Sequence, residues 1–221
     1  MALRAILFDL DGTLIATRRL YVEAFSRALE PYVGLRLSET EIMSRKPRAE
    51  RRFLREIVGP EHAPECLERF YEHFEALHST HFQGVYEGVP ELLAALRSRG
   101  VPLGLVTGKS RRAWRITREH VELGSFHVEV LDDDVPDQKP DPSGVRQAVS
   151  ALNVAPEEVV YVGDSLTDVE AARGAGVRAG AVLWCKKEEE RDRFRREAEA
   201  MDARILPRPE SVVELPLSPG P

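Results

Sequence analysis

The amino-acid sequence predicts an α/β protein: a three-layer, Rossmann-like parallel sheet with a helical domain inserted into it. Two observations lead to this fold class. Short apolar runs rich in β-branched residues alternate with helical patterns along most of the chain, and this alternation is typical of a parallel sheet covered by helices. By contrast, residues 15–86 contain helical periodicity and almost no strand-like run, which indicates an inserted helical segment.

The strands and helices of the sheet domain follow one another in regular order. Each predicted strand is a short apolar run, as expected for a strand buried on both faces. Helical patterns at residues 89–96 and 166–173 end at Gly100 and Gly174, because glycine readily closes a helix. The charged run 186–199 is typical of a solvated helix. The predicted strands are residues 5–8, 101–106, 128–131, 159–162 and 179–184.

The helical insert has two apolar faces and several expected breaks. Breaks at Pro31, Pro47 and the Gly59-Pro60 pair divide it into roughly four helices. Because the insert follows the first strand, it starts at the edge of the sheet where ligands bind and is placed to act as a lid. We therefore expect a core of residues 1–14 and 87–221 and a helical cap of residues 15–86. The apolar faces are formed by Tyr21, Phe25, Ala28 and Leu29, and by Leu67, Phe70, Tyr71 and Phe74.

Composition and charge disfavour several classes of protein. With 221 residues, 43% of them hydrophobic, the chain can bury one core and has room for a second small domain. A net charge of −6 and a pI near 5.6 disfavour a nucleic-acid partner, which would need a clustered basic face. Cys66 and Cys185 lack the spacing of a zinc site or disulfide framework, so we expect a cytoplasmic location. No apolar stretch suits a membrane span or a signal peptide.

Two carboxylates follow the first predicted strand. Asp9 and Asp11 stand two residues apart where the strand breaks at Gly12. Alternate residues of an extended chain point the same way, so we expect both acids to face one site. Taken alone, the pair could also be a turn or a helix cap.

Three further strand ends carry polar or charged side chains. Thr107 and Gly108 end the second predicted strand, and a glycine here lets a backbone amide approach an anion closely. Lys139 precedes Pro140, which favours an extended conformation at the lysine. Each feature is weak alone, because Thr-Gly ends many strands and a lysine in a loop is usually exposed. The fourth predicted strand is followed by two acids at the start of a helix, where aspartate is also common as a cap: Asp164 and Asp168.

Together, the four strand ends supply four carboxylates, one hydroxyl and one ammonium group. All stand at carboxyl ends of predicted parallel strands, the edge where ligands bind in such folds. The set suits phosphoryl transfer, because carboxylate oxygens are the ligands that Mg²⁺ prefers and the ion can bridge to a phosphate. Four acids crowded together without a cation would repel one another, so the sequence predicts bound Mg²⁺.

The order of these motifs resembles that of the haloacid dehalogenase-like hydrolases. The resemblance extends over nearly the whole chain, and the insert is similar to the helical cap of that family. It implies that Asp9 is the nucleophile and a metal ligand, and that Asp11 protonates the leaving oxygen and then activates water. The motifs that carry it are Asp9-x-Asp11-Gly12-Thr13, Thr107, Lys139 and Gly163-Asp164-Ser165-x-x-Asp168.

The same resemblance implies roles for the remaining motif residues. Thr107 and the amide of Gly108 hold the transferring phosphoryl oxygens, while Lys139 neutralises those oxygens and orients the nucleophile. The implied metal ligands, directly or through water, are Asp9, Asp11, Asp164 and Asp168.

Two residues indicate the reaction type within the family. Dehalogenases of this family lack an acid equivalent to Asp11, so carbon–halogen cleavage is disfavoured. Sugar-phosphate mutases often have an aliphatic residue in place of Thr13, so the resemblance favours hydrolysis of a small phosphorylated metabolite. Residues 88–93 are similar to the phosphoglycolate phosphatase and pyrophosphatase-like branch. A sugar-phosphate mutase and an inorganic pyrophosphatase are the alternatives, and a noncatalytic binding protein is disfavoured because both acids are present.

Substrate specificity is expected to come from the insert, since the core motifs recognise a phosphoryl group alone. Residues 44–48 combine three cations with a helix-breaking proline, and Arg45 and Lys46 are the candidate contacts to a second anionic group of the substrate. A solvated basic turn is the alternative for this loop. A Schiff-base role for Lys46 in phosphonate hydrolysis is less favoured than an exposed charge. We expect a monomer or small homo-oligomer with no nucleic-acid or membrane partner.

Overall fold

The computed structural model of the protein describes residues 2–45, 47 and 49–217. Its strands are β1 (Ala5–Phe8), β2 (Leu103–Val106), β3 (Val128–Val130), β4 (Val159–Gly163), β5 (Arg178–Val182) and β6 (Arg204–Leu206). They form one sheet in the order β3-β2-β1-β4-β5-β6, in which all neighbours are parallel. The predicted fold class is confirmed. The sequence pattern does not predict β6, because this edge strand is three residues long and begins with an exposed arginine.

The strand order brings the carboxyl ends of β1 and β4 side by side. β1 lies in the middle of the sheet, and each of its residues is fully buried. The chain runs outward from β1 through β2 to β3, then crosses back to β4 and runs outward through β5 to β6. In folds of this kind a crevice forms where the order reverses, and ligands bind there. The residues directly after β1 and β4 are therefore expected to contact a ligand.

Helices cover both faces of this sheet. The helices α6 (Ser143–Leu152), α7 (Leu166–Gly174) and α8 (Glu188–Ala200) pack apolar side chains against one face. The helix α4 (Val89–Ser98) precedes β2 and buries four apolar side chains, and the usual right-handed crossover is expected to put it on the other face. The predicted helices 89–96 and 166–173 correspond to α4 and α7. Within the part of the chain that the structure describes, no helix is long and apolar enough to cross a membrane. The helices are α1 (Arg18–Val33), α2 (Glu39–Ser44), α3 (Glu50–His81), α4 (Val89–Ser98), α5 (Arg111–Arg118), α6 (Ser143–Leu152), α7 (Leu166–Gly174), α8 (Glu188–Ala200) and α9 (Glu210–Val213).

The chain forms two compact units. The sheet unit comprises Met1–Ile15, Val85–Thr107 and Leu123–Pro221, and the helical unit comprises Ala16–Gly84 and Gly108–Glu122. The helical unit contains α1, α2 and α3 together with α5, which comes from a part of the chain that we expected in the core. The division into a core of residues 1–14 and 87–221 and a cap of residues 15–86 stays a prediction.

The helical unit is built around stacked aromatic rings, such as Phe25 and Phe70 with centroids 4.6 Å apart. The predicted break at Pro31 is wrong. Pro31 lies in the last turn of α1, where it removes one backbone hydrogen bond, and the helix ends at Gly34 with a left-handed φ of 76°. The break at Gly59 is present, because its φ of 79° interrupts α3.

A buried polar network lies inside the helical unit. Lys109, 2% exposed, donates from Nζ to the hydroxyl oxygen of Tyr21 at 2.7 Å. That hydroxyl donates to Oε1 of Glu50 at 2.7 Å, and Glu50 is 1% exposed. Oε2 of Glu50 accepts from the backbone amide of Ser110 at 3.1 Å. The network therefore ties the start of the Gly108–Glu122 segment to α1 and α3 through a lysine and a glutamate shielded from water.

Candidate active site

Asp9 directly follows β1 and is 5% exposed. Its backbone amide donates to the carbonyl oxygen of Val162 at 2.9 Å, which extends the pairing of β1 with β4. Its Oδ1 accepts a hydrogen bond from Nζ of Lys139 at 2.7 Å, and its Oδ2 lies 3.5 Å from the hydroxyl of Thr13. One oxygen is thus held by the lysine ammonium group, while the other makes a long contact with a hydroxyl group.

Lys139 joins two of the predicted acids. Its Nζ also donates to Oδ1 of Asp168 at 2.6 Å and to the hydroxyl oxygen of Tyr161 at 2.8 Å. Tyr161 extends from β4, and its hydroxyl donates to the carbonyl oxygen of Val106 at 2.7 Å. The side chain of Lys139 is 17% exposed. This loop lysine is therefore largely buried and fixed by three partners.

Asp168 belongs to the site and caps a helix at the same time. Its Oδ2 accepts from the backbone amide of Ser165 at 2.9 Å and from the hydroxyl at 2.6 Å, and that hydroxyl accepts from the amide of Asp168 at 3.2 Å. This reciprocal pattern is a capping box at the start of α7. A side chain at Gly163 would put Cβ 2.5 Å from Cγ of Asp168, so this position needs glycine. Asp168 is therefore a helix cap whose carboxylate also lies beside Lys139, and its role in catalysis or metal binding stays a prediction.

Asp164 has a separate lysine partner. Its Oδ2 accepts from Nζ of Lys186 at 2.8 Å, and Sγ of Cys185 lies 3.7 Å from the same oxygen. Gly12 packs against this carboxylate: its φ is 86°, and a Cβ there would lie 2.6 Å from Oδ2 of Asp164. The glycine of the first motif is thus required by its turn and by its contact with the fourth motif.

Three of the four predicted metal ligands come together. Asp9, Asp164 and Asp168 each offer a carboxylate oxygen, and these atoms lie within 4.8 Å of one another. Several hard oxygen donors at one point suit Mg²⁺. Asp11 is partly exposed on the turn after β1, where its backbone bridges to Ile15, and its carboxylate is not a member of this group. A role for Asp11 as a ligand stays a prediction.

Burial and charge compete at these acids. Burial raises the pKa of Asp9 to about 8; Lys139 opposes this rise, whereas Asp168 and Asp164 add to it. Burial also raises the pKa of Asp168, but Lys139 and Ser165 lower it by more, and the result is below the usual value. Burial lowers the pKa of Lys139, yet the two acids together hold it well above its usual range. Lys139 therefore compensates Asp168 better than Asp9, and a further cation beside Asp9 would favour its charged form.

The predicted substrate contacts are less closely grouped. Thr107 follows β2, is 5% exposed, and stands at the same edge of the sheet as Asp9, with its amide donating to the carbonyl oxygen of Val130 at 3.0 Å. Gly108 begins the second segment of the helical unit. Arg45 is exposed at the end of α2, and Lys46 lies outside the described residues. Their contacts with a substrate stay predictions.

Two residues of the site are not predicted by the sequence. Tyr161 stands in an apolar run and is interpreted as core, although its hydroxyl lies among the catalytic candidates. Lys186 begins the charged run that predicts a solvated helix, but it precedes α8 and contacts Asp164. A signal for Lys186 exists in its position after the fifth strand, at the edge where the other charged residues gather.

Comparison with known proteins gives one consistent family. Residues 6–182 match the family described as haloacid dehalogenase-like hydrolase. The chain is 33% identical over 189 residues to pyrophosphatase PpaX of Anoxybacillus flavithermus, a match covering 85% of this chain and 86% of the relative. It is 34% identical over 194 residues to N-acetylmuramic acid 6-phosphate phosphatase of Pseudomonas aeruginosa, covering 83% of each. The crystal structure of CbbY from Rhodobacter sphaeroides in complex with phosphate is similar with a TM-score of 0.74 and 27% identity, covering 93% of this chain and 94% of that one.

Proposed function

The chain belongs to the haloacid dehalogenase-like hydrolase family, and from this premise we propose that it is a Mg²⁺-dependent phosphatase that hydrolyses a small phosphate monoester through a phosphorylated Asp9. The observation that carries the proposal is the setting of Asp9. This carboxylate is buried at the carboxyl end of the central strand, held on one oxygen by Lys139, and close to two further carboxylates.

In the first step, Oδ2 of Asp9 attacks phosphorus and the bond from phosphorus to the leaving oxygen breaks. Asp11 gives its proton to that oxygen, so the product leaves as an alcohol. Lys139 stays on Oδ1 and orients the attacking oxygen, and Lys139 and Thr107 bind the negatively charged phosphoryl oxygens. The hydroxyl of Thr13 donates to the attacking oxygen.

In the second step, Asp11 takes a proton from water, and the water oxygen attacks phosphorus. The bond between phosphorus and Asp9 breaks, which releases inorganic phosphate and regenerates the carboxylate. Burial matters here, because a low-polarity surrounding strengthens the attraction of Lys139 for the phosphoryl oxygens.

A divalent cation fits the acids of this site. Asp9 and Asp164 are the favoured direct ligands. Both oxygens of Asp168 already accept hydrogen bonds, from Lys139 and from Ser165, so Asp168 is better suited to hold a water of the ion. When bound, Mg²⁺ supplies charge that offsets the repulsion between the anionic nucleophile and the anionic substrate.

The substrate is a small phosphorylated metabolite, and the name of one relative supports a second candidate. PpaX of Anoxybacillus flavithermus is named a pyrophosphatase, so inorganic pyrophosphate is the alternative to a phosphoglycolate-like monoester. A sugar-phosphate mutase is the third candidate, which would return the phosphoryl group to a sugar instead of to water. Arg45 and Lys46 are proposed to contact a second anion of the substrate. We also propose a cytoplasmic location, in keeping with the free thiols Cys66 and Cys185.

The nucleophile is tested by trapping the intermediate. Asp9→Asn should abolish turnover of an aryl phosphate, because an amide cannot attack phosphorus, and should trap no labelled phosphate. Asp11→Asn should still be phosphorylated by this good leaving group but should lose phosphate slowly. Asp192→Asn, at an exposed position of α8, is the control and should behave as the natural protein. Label recovered on a residue other than Asp9 would refute the mechanism.

The substrate class is tested by a screen of phosphorylated metabolites with Mg²⁺, including inorganic pyrophosphate and phosphoglycolate. Release of inorganic phosphate at a rate far above that for the aryl ester identifies a phosphatase substrate. Appearance of an isomeric sugar phosphate without phosphate release would instead establish the mutase.

A further inference from the structure

Lys186 lies at the proposed cation site without being part of any predicted motif. Its Nζ is 2.8 Å from Oδ2 of Asp164, and the two side chains are 17% and 24% exposed. Asp9 and Asp168 share Lys139, so the three clustered acids are matched by two lysines from different strand ends. The ammonium group of Lys186 therefore binds an oxygen of one of the carboxylates that would hold the divalent cation.

The lysine is held in this position by its surroundings. The backbone turns just after β5, where the amide of Lys186 donates to the carbonyl oxygen of Leu183 at 3.1 Å. The carbonyl oxygen of Lys186 accepts from Nε of Arg191 at 3.2 Å. Its Nζ lies 4.6 Å from the centroid of the Phe194 ring of α8, a cation–π contact. Two contacts thus fix the backbone of Lys186, and the ion pair and the ring contact place its ammonium group, which distinguishes it from a solvated surface lysine.

An ammonium group and a divalent cation compete for the same carboxylate. A cation bound to Asp164 either displaces Lys186 or stays close to its positive charge, and both alternatives weaken binding. In the absence of a cation, the same lysine offsets the charge of a largely buried acid and keeps it in place.

We propose that Lys186 is a positioning residue that holds Asp164 in the cation-free protein and thereby lowers the affinity of the site for Mg²⁺. The inference rests on the proposed cation site. It predicts a site that fills at higher concentrations of free Mg²⁺ than the same acids would need without the lysine.

The test measures Mg²⁺ binding by calorimetry, in the absence of substrate. Lys186→Met keeps the length and the apolar stem that packs on Phe194 but removes the charge. It should lower the dissociation constant for Mg²⁺ by about 10-fold or more, because one charge-assisted contact no longer competes. Lys186→Arg keeps the charge and should bind Mg²⁺ as weakly as the natural protein. Lys187→Met, at the exposed neighbouring lysine, is the matched control and should leave the constant unchanged.

The direction of the change separates this role from a structural one. Loss of a lysine that merely supports the fold would weaken Mg²⁺ binding, whereas loss of a competitor strengthens it. If Lys186→Met unfolds in chelator, Lys186→Gln provides a second neutral variant, and the rise of its melting temperature with Mg²⁺ should exceed that of the natural protein.

Three results would overturn the inference. If the natural protein binds Mg²⁺ and both neutral variants bind it equally or more weakly, Lys186 does not compete with Mg²⁺ for Asp164. The proposed function would not be affected by that result. Unchanged Mg²⁺ binding with a raised KM for substrate would make Lys186 a substrate contact. No Mg²⁺ binding by the natural protein would remove the cation site itself, and with it both proposals.

Discussion

Replacing Lys109 by methionine should destabilise the helical unit by about 3 kcal/mol or more. Methionine has a similar volume, so little apolar packing is lost. The cost comes from Glu50, which is 1% exposed and would lose its nearby positive charge while remaining shielded from water. Removing one member of a buried charge pair typically costs ~3–5 kcal/mol. We expect the lower end, because Tyr21 and the amide of Ser110 still donate to the glutamate.

Urea unfolding followed by tryptophan fluorescence measures this loss. Trp114 belongs to α5 in the helical unit, whereas Trp184 belongs to the sheet unit. A Trp184→Phe background therefore leaves Trp114 as the reporter for the helical unit in all variants. The matched control is Arg115→Met on the exposed side of α5, which should change the free energy of unfolding by less than ~0.5 kcal/mol.

The pH dependence of this stability loss provides an independent check that the uncompensated charge of Glu50 causes it. Burial raises the pKa of Glu50, and Lys109 opposes that rise. Without Lys109 the folded-state pKa rises further, so Glu50 is protonated at higher pH in the folded protein than in the unfolded chain. The penalty of Lys109→Met should accordingly shrink as the pH falls from 8 towards 5, and Glu50→Gln in the same protein should recover part of the loss. A penalty below about 1 kcal/mol, or one independent of pH, would refute the buried-charge explanation.

Two further predictions concern the proposed reaction. Chelation of divalent cations should abolish hydrolysis of an aryl phosphate, and added Mg²⁺ should restore it; full activity after exhaustive chelation would contradict the cation requirement. Arg45→Ala and Lys46→Ala should each raise KM for the best anionic metabolite by ~10-fold while leaving the aryl phosphate unchanged, since the aryl compound offers no second anion. Arg55→Ala, an exposed arginine of α3, is the control, and equal losses on both compounds would assign the basic loop to folding or closure instead.

Local patterns predict most of the sheet unit because its strands are continuous apolar runs. A run such as residues 159–162 is buried on both faces, so its composition alone marks it as a strand. β6 has no such run, because it is three residues long and begins with an exposed arginine, and it is therefore not predicted. Pro31 shows the opposite limit: proline disfavours helix, but the strong left-handed stop at Gly34 and the packing of α1 decide where this helix ends.

The candidate site divides along similar lines. Acids at strand ends are predictable, because the sheet topology alone brings Asp9 and Asp164 to neighbouring strands. The residues that fix those acids are not predictable from spacing. Tyr161 differs from its apolar neighbours by one hydroxyl, and its three polar contacts exist because β4 carries it next to Lys139. Polar groups inside apolar runs acquire partners through tertiary packing, which a linear pattern does not encode.

Charge balance explains why such partners arise at this edge of the sheet. The strand order forces several acids together, and each buried carboxylate needs a compensating group to remain charged. Lys186 pairs with Asp164, whereas Asp9 and Asp168 share Lys139. Burial still raises the pKa of Asp9, so its charge is the one left least compensated. A bound cation would therefore stabilise the charged form of the proposed nucleophile, Asp9. The proposed mechanism requires Asp9 to be charged, so the packing that makes these acids costly to bury makes the proposed nucleophile the acid that would gain most from a bound cation.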